Sequence, residues 1–199
     1  MTRNSSEAKS AIRTCVRERL KRLQIPELEL AAAKASLLLQ AQPVWQKSSS
    51  VLFYASLRDE LDIWPLWKQG YQDGKIVALP RYSTEGNAYV ACQVNALSPR
   101  LVRGAFGVWQ PEDCYPVIPL NQLDLILVPG VAFDVTGRRL GRGRGFYDRL
   151  LKDVRGAKVG VGLDEQIEPA IPAEPHDVTL DYLLTPTRWL SFDPRVALK

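Results

Sequence analysis

Hydrophobic positions in the first forty residues recur with a helical period. Ile12, Val16, Leu20 and Leu23 fall three and four apart with Lys and Arg between them, so the spacing predicts a basic amphipathic helix over residues 5–23. Asn4 followed by Glu7 offers a capping-box start. Pro26 opens a second helix, rich in Ala and Leu and reaching about Gln40, with proline in a first turn where its missing N–H costs nothing. The period then changes. SVLFYAS (50–56) is a continuous apolar run suited to a strand buried on both faces. Residues 62–74 read as a helix ending at Gly74, followed by strands at KIVALP (75–80) and YVACQV (89–94). A Pro- and Gly-rich loop (about 98–122) leads to LDLILVPG (123–130), the clearest strand of the chain. A helix at FYDRLLKDV (146–154) and strands at KVGVGL (158–163) and DYLLTP (181–186) complete the reading.

Strands alternating with helices imply crossover connections and a parallel sheet covered on both faces. The expected fold is therefore α/β: three layers, a mostly parallel sheet flanked by helices, Rossmann-like in the broad sense. No repeat, low-complexity tract or linker divides the chain, so residues 1–199 are expected to form a single domain. Ligands of such sheets bind beyond the carboxyl ends of the strands, which directs attention to the loop after Val128.

Composition narrows the class. Of 199 residues, 46% are hydrophobic and 24% charged, which excludes a disordered chain, a fibrous repeat or a disulfide scaffold. The net charge of +4 is too small to indicate nucleic-acid binding by itself. Cys15, Cys92 and Cys114 are odd in number and widely spaced, and read as reduced thiols. No apolar run approaches a membrane span and no signal-like segment is visible, so the expectation is a soluble, cytoplasmic protein.

The candidate chemistry lies in PGVAFDVTGRRLGRGRGFYDRLL (129–151). Gly141, Gly143 and Gly145 alternate with Arg142 and Arg144, behind Arg138 and Arg139. Glycines permit positive φ and close backbone approach, so successive N–H groups can converge on phosphate oxygens. The following helix adds its N-terminal partial charge, and arginines supply forked, always-charged donors. A flexible basic loop without a ligand is the plainer alternative. The spacing is neither a dinucleotide fingerprint nor a Walker A loop.

This segment strongly resembles the signature of the 5-formyltetrahydrofolate cyclo-ligase (methenyltetrahydrofolate synthetase) family: an apolar strand, P-G-x-A-F-D, a short turn, then R-L-G-x-G-x-G-x-Y-D. The resemblance extends to Lys9 and Arg13 in K-x-x-x-R, FYASLRDELD around Glu60, ALPRY ending near Pro80, GVWQP before Pro111, and the tail Gln166, Ile171-Pro172, His176-Asp177, Asp181 and Thr185. It implies ATP- and Mg²⁺-dependent closure of 5-formyltetrahydrofolate to 5,10-methenyltetrahydrofolate with release of ADP and phosphate, by phosphorylation of the formyl oxygen and attack by N10. It also implies small-molecule substrates only, and we expect a monomer.

The resemblance assigns Lys9, Arg13 and the run Arg139, Leu140, Gly141, Arg142, Gly143, Arg144, Gly145, Phe146 and Tyr147 to ATP. Tyr147 and Arg144 are the catalytic candidates. Asp148 and Asp181 are the magnesium-linked acids, and Glu60, Ala55, Phe106, Trp109 and Tyr147 face the folate. Each residue has a bland alternative. Lys9 and Arg13, at i and i+4, also suit a solvated helix face. Asp148 suits a first-turn acid complementing the helix dipole, Asp181 a surface acid, and Tyr147, Phe106 and Trp109 plain packing. Arg144 stands where the family often carries Lys, Phe146 where Tyr is frequent, and Ile63 where Thr is common. Gln110 receives no role, and His176, the only histidine, is expected to stabilise a turn. Two rival classes remain: an RNA-binding module using the Arg-Gly loop, and an ATP-independent isomerase or CoA-transferase-like enzyme on a related architecture.

Overall fold

The computed structural model describes residues 3–94, 96–174 and 177–192. It opens with helices α1 (Arg3–Leu20), α2 (Ile25–Gln40) and α3 (Pro43–Lys47), then strand β1 (Ser50–Leu52), helix α4 (Trp64–Gln72), β2 (Ile76–Ser83) and β3 (Ala88–Gln93). A short ribbon, β4 (Leu101–Arg103) and β5 (Trp109–Pro111), precedes β6 (Val117–Ile118) and β7 (Leu125–Pro129). Next come β8 (Ala132–Asp134), β9 (Arg139–Leu140), α5 (Phe146–Lys152), β10 (Ala157–Val161), β11 (Ile167–Glu168), β12 (Tyr182–Leu184) and β13 (Trp189–Ser191).

Eight strands form one sheet in the order β13-β12-β10-β7-β1-β2-β3-β6. The five central strands, β12 to β2, run parallel, and β13, β3 and β6 are antiparallel additions at the edges. Alternation along the buried strands divides the core. Val51, Phe53, Val77, Leu79, Leu125 and Leu127 pack with Val16, Leu39, Leu66 and Trp67 of α1, α2 and α4. Leu52, Ala78, Ile126 and Val128 pack on the other face with Leu150 and Leu151 of α5 and with Phe133. The expected three-layer α/β arrangement is the observed one.

The order of crossovers makes the site. From β1 the chain moves through α4 to β2 on one side; from β7 it moves through α5 to β10 on the other. Because β1 and β7 are neighbours, the two connections diverge between them and leave a crevice at their carboxyl ends, where open α/β sheets bind ligands.

Several local expectations are corrected. The first helix begins at Arg3, so Asn4 lies within it and cannot be its cap. The capping contact belongs to α2, where the Gln24 N–H donates to Glu27 Oε2 at 2.7 Å. The loop 98–122 contains the β4–β5 ribbon and β6, and the basic loop begins as a β8–β9 hairpin. Strands of two or three residues give no readable period, which is why the sequence pattern passed over them. Asp134 pins that hairpin: Oδ1 accepts from Thr136 N (2.9 Å), Thr136 Oγ1 (2.6 Å) and Arg138 N (3.1 Å), and Oδ2 from Ile171 N (2.9 Å). Burial alone would raise its pKa, but these four donors outweigh it and hold the carboxyl below the ordinary aspartate value.

Asp134→Asn can keep an oxygen toward Thr136 and Arg138 but then turns its amide N–H₂ toward the Ile171 N–H, itself a donor, and is expected to cost about 2 kcal/mol in urea unfolding. The wild-type contribution is present above the unfolded aspartate pKa and is lost as pH falls through the depressed folded value. The difference between the two proteins should therefore narrow only in acid.

Candidate active site

The crevice holds a cavity of about 500 Å³. Its floor is the carboxyl ends of β1 and β7, where Tyr54, Ala55, Pro129 and Gly130 meet. Gly130 is required there: a Cβ would lie 2.7 Å from Phe133 Cζ and 3.0 Å from Arg139 Cγ. Gln166 secures the same corner. It is buried, donates through Nε2 to the carbonyls of Gly130 (2.7 Å) and Val131 (3.0 Å), and accepts from Leu163 N (2.8 Å).

One end of the cavity is cationic. Lys9 reaches in from α1 and donates to Glu174 Oε2 (2.9 Å) and Asp177 Oδ2 (3.0 Å). Burial opposes its charge, but the two carboxylates outweigh this and raise its pKa. One turn on, Arg13 Nε donates to the Gly141 carbonyl at 2.9 Å. Arg139 is buried, with Nη2 on Asp148 Oδ1 at 2.5 Å, Nη1 on the Pro129 carbonyl at 3.3 Å, and its guanidinium 5.6 Å from the Tyr147 ring centre. Gly143 and Gly145, at φ +99° and +63°, carry the loop around this end. The helix after it, α5, has only seven residues, so its dipole adds little and the side-chain cations dominate.

The other end is aromatic and acidic. Tyr89, Phe146 and Tyr147 share one wall with Pro80 and Val108. Glu60 also lines the cavity, with Oε2 accepting from Leu57 N at 3.0 Å. Burial raises its pKa, and the Arg142 guanidinium only partly offsets that rise. Burial, with Glu60 and Tyr89 nearby, pushes the Tyr147 phenol well above its ordinary value despite Arg139. Tyr147 is therefore a protonated hydrogen-bond donor at neutral pH and not a base.

Most of the expected site residues gather here. Lys9, Arg13, Ala55, Glu60, Arg139, Gly141, Arg142, Gly143, Arg144, Gly145, Phe146, Tyr147 and Asp148 all line the cavity. Leu140 does not, since its side chain belongs to the core. Ile63 is buried beside α4. Trp109 stands on β5, partly exposed, with Arg103 stacked 4.2 Å from its ring centre. The side chain of Phe106, and His176 altogether, lie outside the described residues. Gln110 Oε1 accepts from Tyr82 N at 3.2 Å and ties the ribbon to β2.

Asp181 is not brought to the site. It precedes β12 and accepts from Lys158 N at 2.8 Å, beside the amino-terminal half of β10. Lys158 pairs with Ile126, three residues before Pro129, so the strand rise places Asp181 roughly 10 Å from the crevice. The aspartate that lines the cavity beside Asp148 is Asp177. Glu174, which no motif singled out, completes that corner; its only signal was a buried lysine on α1 that must find carboxylates elsewhere in the chain. Among the described residues, no three His, Cys, Asp or Glu side chains are grouped to hold a metal ion by themselves.

Comparison with known proteins bears on this arrangement. Residues 5–186 match the model of the 5-formyltetrahydrofolate cyclo-ligase family. The chain is 30% identical over 197 residues to mouse 5-formyltetrahydrofolate cyclo-ligase, covering 90% of this chain and 94% of the mouse protein. It is 30% identical to the Escherichia coli K12 protein of that name over 177 residues, covering 87% and 97%. The NMR structure of Aquifex aeolicus 5,10-methenyltetrahydrofolate synthetase superposes with a TM-score of 0.82 at 34% identity, over 93% of each chain.

Lys9→Met leaves Glu174 and Asp177 without their shared cation. Removing one partner of a sealed pair costs ~3–5 kcal/mol; because this cavity is open to water, about 2 kcal/mol is expected in denaturant unfolding. Since the folded pKa of Lys9 is raised, its contribution is present below the ordinary lysine value of 10.5 and disappears as pH rises through the folded one. Wild type and variant should therefore converge only in strong alkali.

Proposed function

The chain belongs to the 5-formyltetrahydrofolate cyclo-ligase family, and from that premise we propose that it is a ligase closing 5-formyltetrahydrofolate to 5,10-methenyltetrahydrofolate at the expense of ATP. The observation that carries this reading is one cavity with two opposed chemistries. Lys9, Arg13, Arg139 and Arg144 gather about a glycine loop in one part, Glu60 and the aromatic residues Tyr89, Phe146 and Tyr147 line another, and Arg142 stands between them on Glu60. A polyanion suits the first. A flat heterocycle with N–H edges suits the second.

The reaction needs both ends. A formamide carbon is a poor electrophile because its oxygen is a poor leaving group. The formyl oxygen attacks the γ-phosphorus, ADP leaves, and N5 donates its lone pair to give an iminium phosphate. N10 then adds to that carbon, inorganic phosphate departs, and the N10 proton is released. No protein nucleophile takes part, so the protein contributes positioning and charge. Lys9, Arg13 and the loop arginines neutralise phosphate oxygens. Tyr147, held protonated, donates to the former formyl oxygen as that oxygen takes up negative charge in the departing phosphate. Glu60 accepts from the pterin N–H edge and sets the ring's orientation.

Magnesium fits the donor set. Asp148 and Asp177 are hard oxygen donors facing the cavity, and one or two carboxylates suffice where phosphates and waters complete the shell. When bound, the ion would draw charge from the β- and γ-phosphates. Asp181 has no part in this assignment.

We read the chain as one domain, since the cavity is lined by residues spread from α1 to Asp177. No described helix is long and apolar enough to cross a membrane. The free thiols Cys15, Cys92 and Cys114 suit a reducing compartment such as the cytoplasm. An RNA surface fits less well, because Arg139 is buried against Asp148 and Arg142 is engaged by Asp59 and Glu60.

Incubation with 5-formyltetrahydrofolate, ATP and Mg²⁺ should raise the absorbance of the methenyl product, and a folded but silent protein would refute the reading. Tyr147→Phe and Asp148→Ala should each lower kcat by about 10²-fold without changing the circular dichroism spectrum. The KM for folate should rise as pH falls, because protonating Glu60 removes the acceptor. Since its pKa is raised, the rise should begin above the ordinary glutamate value of 4.5, and Glu60→Gln should abolish it.

A further inference from the structure

Arg142 sits between the two ends of the cavity, and the protein alone gives it to neither. Its Nη2 is 2.6 Å from Asp59 Oδ1 and 3.1 Å from Glu60 Oε1, and Nε is 3.4 Å from the same Glu60 oxygen. These contacts join the glycine loop to the segment after β1, across 82 residues of sequence. With Oε2 held by Leu57 N, both Glu60 oxygens are engaged. Glu60 Oε1 already accepts from both Nε and Nη2 of Arg142, so a heterocycle presenting two N–H groups to Glu60 competes with Arg142 for that oxygen. A phosphate that takes Arg142 through the same two donors competes with Glu60 for them. Both ligands then act against the same ion pair.

We propose that the Arg142–Asp59/Glu60 cluster is a latch that couples the two substrates, so that whichever binds first opens it and the second binds without that cost. The proposal rests on the function proposed above, and adds that nucleotide and folate bind with positive cooperativity, each tightening the other by the same factor. The glycines flanking Arg142 suit the movement. Gly143, at φ +99°, lies in a region that side-chain-bearing residues rarely adopt, and its Cβ position meets nothing nearer than Arg13 Nη2 at 3.7 Å. The pair is half-exposed on the arginine side, so its rupture is a modest cost, and the expected coupling is about fivefold, at the low end of the usual range.

Calorimetric titration of the full chain with 5-formyltetrahydrofolate, alone and with a saturating non-hydrolysable magnesium–ATP analogue, reads the coupling directly. In the wild type the analogue should lower the folate Kd about fivefold. Inorganic tripolyphosphate should reproduce the effect, because the latch senses phosphate and not adenine. Arg142→Ala should bind folate without nucleotide at least as tightly as the wild type does, with no further gain on adding the analogue. Asp59→Asn leaves Glu60 and the glycine loop unchanged, and should tighten folate binding alone while shrinking the coupling. It carries the test if Arg142→Ala binds nucleotide too weakly to saturate. Binding of both ligands with no coupling in the wild type, or full coupling retained in either variant, overturns the latch alone. Binding of neither ligand overturns the functional reading, and the latch with it.

Discussion

The structure depends on a topological constraint: two parallel neighbours, β1 and β7, whose onward connections leave on opposite faces of the sheet. α4 covers one face and α5 the other, so nothing seals the carboxyl ends of this strand pair. Every group assigned to the chemistry is placed relative to that gap. Pro129 and Gly130 form its floor, and the β8–β9 hairpin folds back to deliver Arg139. The glycine loop borders one side and the Glu60 segment the other. Removing the divergence would leave the same residues without a common space.

A second principle governs the charges. Several of the cavity's cations are held by partners from distant parts of the chain: Lys9 by Glu174 and Asp177, Arg139 by Asp148, Arg142 by Asp59 and Glu60. This solves the problem that makes anion sites costly, since a guanidinium left alone in a half-buried cleft would lose much of its hydration without compensation. In the function we propose, the same carboxylates would serve twice, as counter-ions before the nucleotide arrives and as magnesium or pterin partners afterwards.

The layer architecture was legible because its strands are long or wholly apolar. LILVP and the KIVALP run could hardly be anything but buried strands, and alternation with helices implied parallel order. The glycine–arginine loop, Lys9, Arg13, Glu60, Tyr147 and Asp148 were legible through motif resemblance and meet in one cavity. What could not be read has physical reasons. The strands β8, β9, β6 and β11 are too short to show a period. Asp134 is surrounded by motif residues and invites a chemical role, yet its carboxylate is spent on three donors of its own hairpin and the N–H of Ile171. Asp181 and Asp177 are four residues apart in a stretch without periodicity, and only three-dimensional placement separates the one at the strand's amino end from the one at the cleft. Glu174 is visible only as the answer to a lysine 165 positions earlier.

That separation has a consequence for how the protein is made. Lys9 on the first helix meets Glu174 and Asp177, so that corner of the cavity cannot form until both segments have left the ribosome. The central strands can begin to pair while synthesis continues, but the corner waits until Glu174 and Asp177 dock against α1. Assembly of the cavity is thus a clasp between distant segments, and a nick that freed either side of it would open that corner.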